Sequence, residues 1–198
     1  MSFEQTVKLP RERIGVLIGR GGEQKRKLEE MLRVELSVDS ESGDVRVRAA
    51  GVGFEEVDPF KAIDVVDAIG KGFSPERAVR LLGDGQGLTV VDLREYAGKS
   101  KSSMERLRGR VIGEGGKARR LIEELTGASV SVYGHYVAII GDEGQGKLAR
   151  EAVEALASGA EHKVVYEMLQ RARTKAKLER LKLWEDQPAD ERPSHIDS

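Results

Sequence analysis

Two short stretches carry residue types at a spacing from which chemistry can be argued: Ile18-Gly19-Arg20-Gly21-Gly22 and Ile112-Gly113-Glu114-Gly115-Gly116-Lys117. Each places an aliphatic residue before Gly-x-x-Gly and a charged segment after it. Glycine has no Cβ, so the chain can turn tightly there and another backbone can come close. A helix that starts at such a turn aims its positive dipole end and its first N–H groups at an anion. The chemistry implied is non-covalent: an anion such as a phosphate can be held at the glycines, with Ile18 or Ile112 as an apolar floor beside it. Arg20 and Lys25 would serve the first grip, and Arg110, Lys117, Arg119 and Arg120 the second. Glu114 opposes phosphate in the second loop. Lys25 and Arg119 each stand three residues past the last glycine, where they either lay their stems along a groove edge or reach for phosphate.

Other chemistry finds little support. The chain has no cysteine, which removes disulfides, thiolate catalysis and Cys-ligated zinc. His135, His162 and His195 are scattered without metal-ligand spacing. Ser100, Ser102 and Ser103 have no histidine partner nearby in sequence. Gly141-Asp142-Glu143-Gly144-Gln145-Gly146-Lys147 nearly spells a phosphate-binding P-loop, but Leu148 stands where Ser or Thr would hold magnesium, and two acids lie inside. Gly113-x-Gly115-x-x-Ala118 mimics a dinucleotide fingerprint, yet a helix rather than a strand precedes it. The sequence therefore predicts no catalytic residue, no metal and no cofactor.

Net charge is −1 over 198 residues, so the protein is not a uniformly basic binder. The distribution says more. Arg11, Arg13, Arg20, Lys25, Arg26 and Lys27 crowd the first glycine stretch, and Arg106, Arg108, Arg110, Lys117, Arg119 and Arg120 the second. Acid collects elsewhere, at Asp39, Glu41, Asp44, Glu55, Glu56, Asp58, Asp64 and Asp67. No apolar run reaches the roughly 18 residues that a membrane span needs. The N-terminus has no signal pattern, which places the protein in the cytoplasm. One charged residue in three would also suit a thermophile.

The elements that position the two stretches follow from periodicity. Thr6 to Leu9 reads as a strand and Arg11 to Ile18, after Pro10, as a helix. A helix from Glu23 follows, with Leu28, Met31 and Leu32 on its apolar stripe. Strand Val34 to Val38 turns through Ser42-Gly43-Asp44 into Val45 to Val47. Asp58-Pro59 starts a helix whose core positions are Ala62, Ile63, Val65, Val66 and Ile69. Ser74-Pro75-Glu76 starts another, with Ala78, Leu81 and Leu82 as its buried face. Gly83 to Gly87 breaks it, and Leu88 to Leu93 reads as a strand. Adding 94 to a residue number carries Gly19 onto Gly113, Leu28 onto Ile122, Met31 onto Leu125, Leu36 onto Val130 and Val38 onto Val132. The chain is thus an internal repeat. The second copy ends in strand Val137 to Ile140, a Gly141 to Gly146 loop and helix Lys147 to Ala157. A long basic helix runs from about Glu161 to Trp184, and residues 185–198 read as a disordered acidic tail.

This order, with its Gly-x-x-Gly, resembles the KH domain of type I, whose loop clamps about four nucleotides of a strand. The fold class expected is α+β: two tandem type I KH domains, each a three-stranded sheet backed by three helices, with a C-terminal basic helix. The boundaries are 4–73 and 88–160 for the domains, 74–87 for a helical connector, 161–184 for the basic helix and 185–198 for the tail. The connector Ile69-Gly70-Lys71-Gly72-Phe73-Ser74-Pro75-Glu76-Arg77-Ala78 with Leu81-Leu82, together with Val111 to Lys117 and Arg119, is similar to one particular family. These are the archaeal counterparts of the small-subunit assembly factor that partners the pre-ribosomal 3′-end nuclease. The resemblance implies a non-enzymatic protein that binds single-stranded RNA, the 3′ region of small-subunit ribosomal RNA, during assembly. It implies partners in a PIN-type nuclease and a dimethyladenosine transferase, and RNA contact at Ile112, Gly113, Gly115, Gly116, Lys117 and Arg119 and at Gly19, Arg20, Gly21 and Gly22. The protein is expected to be a monomer. Two other readings stay open on the residues: a protein-interaction scaffold with incidental RNA affinity, and an NTP-dependent enzyme using the Gly141–Lys147 loop.

Overall fold

The computed structural model describes residues 3–49, 58–98 and 100–185. Glu55, Glu56, His195 and the expected acidic tail beyond Glu185 lie outside the described residues. The order is β1 (Phe3–Lys8), α1 (Arg11–Ile18), α2 (Glu23–Leu32), β2 (Glu35–Val38), β3 (Asp44–Ala49) and α3 (Pro59–Gly70). A short α4 (Pro75–Ala78) leads to β4 (Gly87–Asp92), α5 (Arg94–Ala97), α6 (Lys101–Ile112), α7 (Lys117–Thr126), β5 (Ser129–Tyr133), β6 (Tyr136–Gly141), α8 (Glu143–Ala157) and α9 (His162–Glu185). Two three-stranded antiparallel sheets result, ordered β1-β3-β2 and β4-β6-β5. The expected α+β fold of two tandem type I KH domains with a C-terminal helix is what the chain forms.

Local chemistry explains the element starts. Asp58 accepts the Phe60 N–H at 2.9 Å and Pro59 occupies the first turn, so α3 begins capped. Asp142 and Gln145 form a reciprocal capping box at α8. That box corrects the loop expected at Gly141 to Gly146, because Gly144 and Gly146 lie in the first turn of the helix. It also fills the helix start that a P-loop would leave for phosphate. At the C-terminus of α2, Arg33 adopts φ 51°, and the matching position after α7 is Gly127 at φ 79°.

The two sheets are buried differently. In β3, Val45 and Val47 face the helices and are fully buried, while Arg46 and Arg48 face solvent. In β6, Val137, Ala138, Ile139 and Ile140 are all fully buried. Val137 and Ile139 face the second unit's helices, whereas Ala138 and Ile140 join the first unit's core with Phe73, Ala78 and Leu81. So α3, α4 and the turn after them cover the back of the second sheet. Arg77 pairs with Glu123, Arg80 donates to Ser129 Oγ, and Ser131 Oγ donates to Lys71 O at 3.1 Å. Tyr133 donates its hydroxyl to Glu12, which together with burial pushes the phenol's pKa up.

Two expected core positions need correction. Met31 is 54% exposed, although its repeat partner Leu125 is buried. The reason is α9, which packs on α7 and has no counterpart over α2 among the described residues. Leu82 is 37% exposed, because the buried side of its turn is filled by Ala78 and Leu81.

Candidate nucleic-acid interface

Both glycine loops have the same backbone. Gly19, Gly21 and Gly22 sit at φ 71°, 60° and 75°, and Gly113, Gly115 and Gly116 at 74°, 56° and 78°. The same hydrogen bonds close them: Gly19 N–H to Gly15 O at 2.9 Å and Gly22 N–H to Gly19 O at 3.3 Å, then Gly113 N–H to Gly109 O at 2.8 Å and Gly116 N–H to Gly113 O at 3.0 Å. The first glycine of each loop is a packing requirement, since a Cβ on Gly113 would stand 2.6 Å from Ala118 N, and one on Gly19 2.5 Å from Gln24 Cβ. Gly21 and Gly115 are different: nothing lies within 4 Å of a Cβ there, so each tip faces open space. Ile18 and Ile112 end their helices half-buried beside the tips. Arg20 and Glu114 are exposed at matching places, so one loop offers a cation where the other offers an acid.

Lys25 and Arg119 are each held by a glutamate one turn on. Lys25 pairs with Glu29 at 2.9 Å and Arg119 with Glu123 at 3.0 Å. Each glutamate also accepts the N–H that opens the following strand, Leu36 to Glu29 at 2.8 Å and Val130 to Glu123 at 2.7 Å. The pair thus ties helix to strand inside each unit. Sequence reasoning missed Glu29 and Glu123, although the 94-residue shift matches them. It also left Arg26 out of the site, yet Arg26 reaches Gly21 O at 3.5 Å as Arg120 reaches Gly115 O at 2.8 Å. These arginines brace the loop tips while staying exposed.

Arg110 is committed inward. Its guanidinium donates to Leu156 O at 3.0 Å and Ala160 O at 2.6 Å, at the end of α8. His162 Nε2 lies 2.8 Å from Arg110 O, so the N–H tautomer donates there and α9 is fixed against α6. A cleft of about 580 Å³ lies behind the second loop, with Arg106, Gly113, Lys117 and Tyr166 on its walls. Beyond Gln170, α9 stands exposed on nearly every side and carries Arg171, Arg173, Lys175, Lys177, Arg180 and Lys182 against Glu179. Among the described residues, no helix is long and apolar enough to cross a membrane, and no group of three or more His, Cys, Asp or Glu could hold a metal.

Comparison with known proteins agrees with this geometry. Residues 87–174 match the family of the second PNO1 domain, described as a eukaryotic type KH-domain (KH-domain type I), and residues 4–57 match the KH domain family. A KH domain-containing protein of Methanocaldococcus jannaschii is 46% identical over 91% of this chain and 78% of its own length. A chain in the crystal structure of the a/eIF2α–aDim2p–rRNA complex from Pyrococcus horikoshii OT3 is 42% identical, with a TM-score of 0.81 over 88% of this chain and 96% of that one. The pre-rRNA-processing protein pno1 of Schizosaccharomyces pombe is 25% identical over 76% of this chain and 63% of its own. With its repeated strand, helix and loop order, this chain belongs to the family of tandem type I KH-domain proteins that includes archaeal Dim2p and its counterpart pno1.

Proposed function

We propose that the protein binds single-stranded RNA at both Gly-x-x-Gly loops and acts without catalysis in ribosome assembly, on the 3′ region of small-subunit ribosomal RNA. The observation that carries this is the duplicated loop: the same backbone twice, each with an open tip at a helix start. KH loops of this form hold about four nucleotides. The names of its relatives point the same way, one a pre-rRNA-processing protein and another from a complex containing rRNA and a/eIF2α. In this reading residues 4–73 and 88–160 are the two binding units, residues 74–87 hold them together, and the work is cytoplasmic. The PIN-type nuclease and the dimethyladenosine transferase are its protein partners, by resemblance alone.

The second unit is the stronger binder, because α9 adds its basic face to that unit. Glu114 subtracts one charge, but an exposed charge is screened within about 8–10 Å at physiological salt. An acid at each tip tests the ranking, since both tips have room for it. Gly115→Asp is expected to weaken binding of a single-stranded small-subunit 3′-end RNA about tenfold, as removing one charge-assisted hydrogen bond does. Gly21→Asp should weaken it less, and both variants should keep the wild-type circular dichroism. A larger loss from Gly21→Asp reverses the ranking. Absence of saturable binding by the wild type at moderate salt would favour the scaffold reading.

A further inference from the structure

Between the two units lies a cleft of about 620 Å³, walled by Lys8, Glu12 and Lys71 of the first and by Arg108, Tyr133 and His135 of the second. Inside it Arg108 Nε and His135 Nε2 are buried and have no hydrogen-bonding partner among the described residues. Proteins pair nearly all such atoms, so two orphans in one cleft need an explanation. The acids nearby are already engaged. Glu12 accepts from Tyr133, Asp67 holds Lys71 at 2.5 Å, and Asp92 holds Arg94 at 2.5 Å. The ring faces are held as well: Arg13 lies 5.5 Å from the Tyr133 centroid, and Lys71 lies 5.0 Å from that of Tyr136. What remains unused is a guanidinium N–H and an imidazole nitrogen, a donor set suited to an anionic oxygen.

The position of the cleft names the anion. Arg108 lies one helical turn before Ile112 on α6, roughly 6 Å along the axis from the residue that opens into the second loop. A strand held at Gly113–Gly116 would reach this cleft if it continued past β5, whose last residue Tyr133 is on the cleft wall. Resting on the RNA-binding reading above, we propose that the cleft seats a phosphodiester group of that same strand between Arg108 and His135. The strand then crosses from the second unit onto the exposed Lys8 of the first. Domain 1 would thereby complete the site of domain 2.

The test uses the full chain, fluorescence anisotropy, and mixed-sequence single-stranded RNAs of about four nucleotides, the reach of one loop, and of about eight. Arg108→Gln and His135→Gln should each weaken the longer RNA about tenfold and leave the shorter one unchanged. In Arg108→Gln the salt slope for the longer RNA should fall by about 0.7, because one phosphate is no longer neutralised. If Arg108→Gln alters the circular dichroism, His135→Gln, in the β5–β6 turn outside any helix or strand, decides alone. Unchanged affinity for both lengths, with Gly115→Asp still damaging, overturns the cleft site and leaves the RNA-binding reading standing. No binding of either RNA by the wild type removes that reading, and the cleft site with it.

Discussion

At Gly113 the space for a side chain is taken by Ala118, and φ is 74°. Gly113→Ala should therefore cost about 2 kcal/mol or more, from the left-handed backbone and the clash together. Gly115→Ala meets no atom and should cost only about 1 kcal/mol, from the backbone alone. Urea unfolding of the two variants checks the difference. Glu123 and Glu29 make a second pair of unequal twins. Glu123 holds Arg77, Arg119 and the Val130 N–H, whereas Glu29 holds Lys25 and the Leu36 N–H. Glu123→Ala should cost about 2–3 kcal/mol and Glu29→Ala about half that, since charged hydrogen bonds are worth about 1.5–3 kcal/mol. The glycines were legible in the sequence because few residue types can form such a turn. The glutamates were not, because a carboxylate on a charged helix looks alike whether it faces water or a strand N–H.

The helix α9 does two jobs along its length. Its first half buries Val165 and Leu169, and Arg110 and His162 fix its start. Its second half, from Arg171, stands free with its basic side chains exposed. Ending the chain at Gln170 should thus leave the melting temperature within a few degrees of wild type but lower the salt slope of RNA binding. Ending it at Ala160 should be severely destabilising, since Val165 and Leu169 contribute about 1.5–3 kcal/mol each. The periodicity of α9 could be read in advance, but not the surface it covers. That depends on Leu121 and Leu125 of α7, whereas Met31 on α2 stays uncovered. The short α5 carried no readable period, because four residues make barely one turn.

Across the whole molecule, the repeat made two similar units legible, while the way they join was hidden in single residues. Gly72 is the clearest of these: at φ 100°, a Cβ there would lie 2.6 Å from Ser131 Oγ and 2.7 Å from Tyr133 Cβ. Gly72→Ala should pry α3 from β5, so that limited proteolysis cuts within residues 74–87, where the wild type is expected to resist. Equal resistance in both proteins would mean the junction tolerates the methyl. The same junction governs how the chain comes off the ribosome. Synthesis delivers the N-terminal half first, yet the core around Phe73, Ala78 and Leu81 also needs Ala138 and Ile140 from β6. The half made first is therefore finished second: its last apolar wall is still untranslated when its own sheet can already pair. A nascent chain stalled before β6 should expose Phe73, Ala78 and Leu81 to chaperones, and one stalled after α8 has emerged should not.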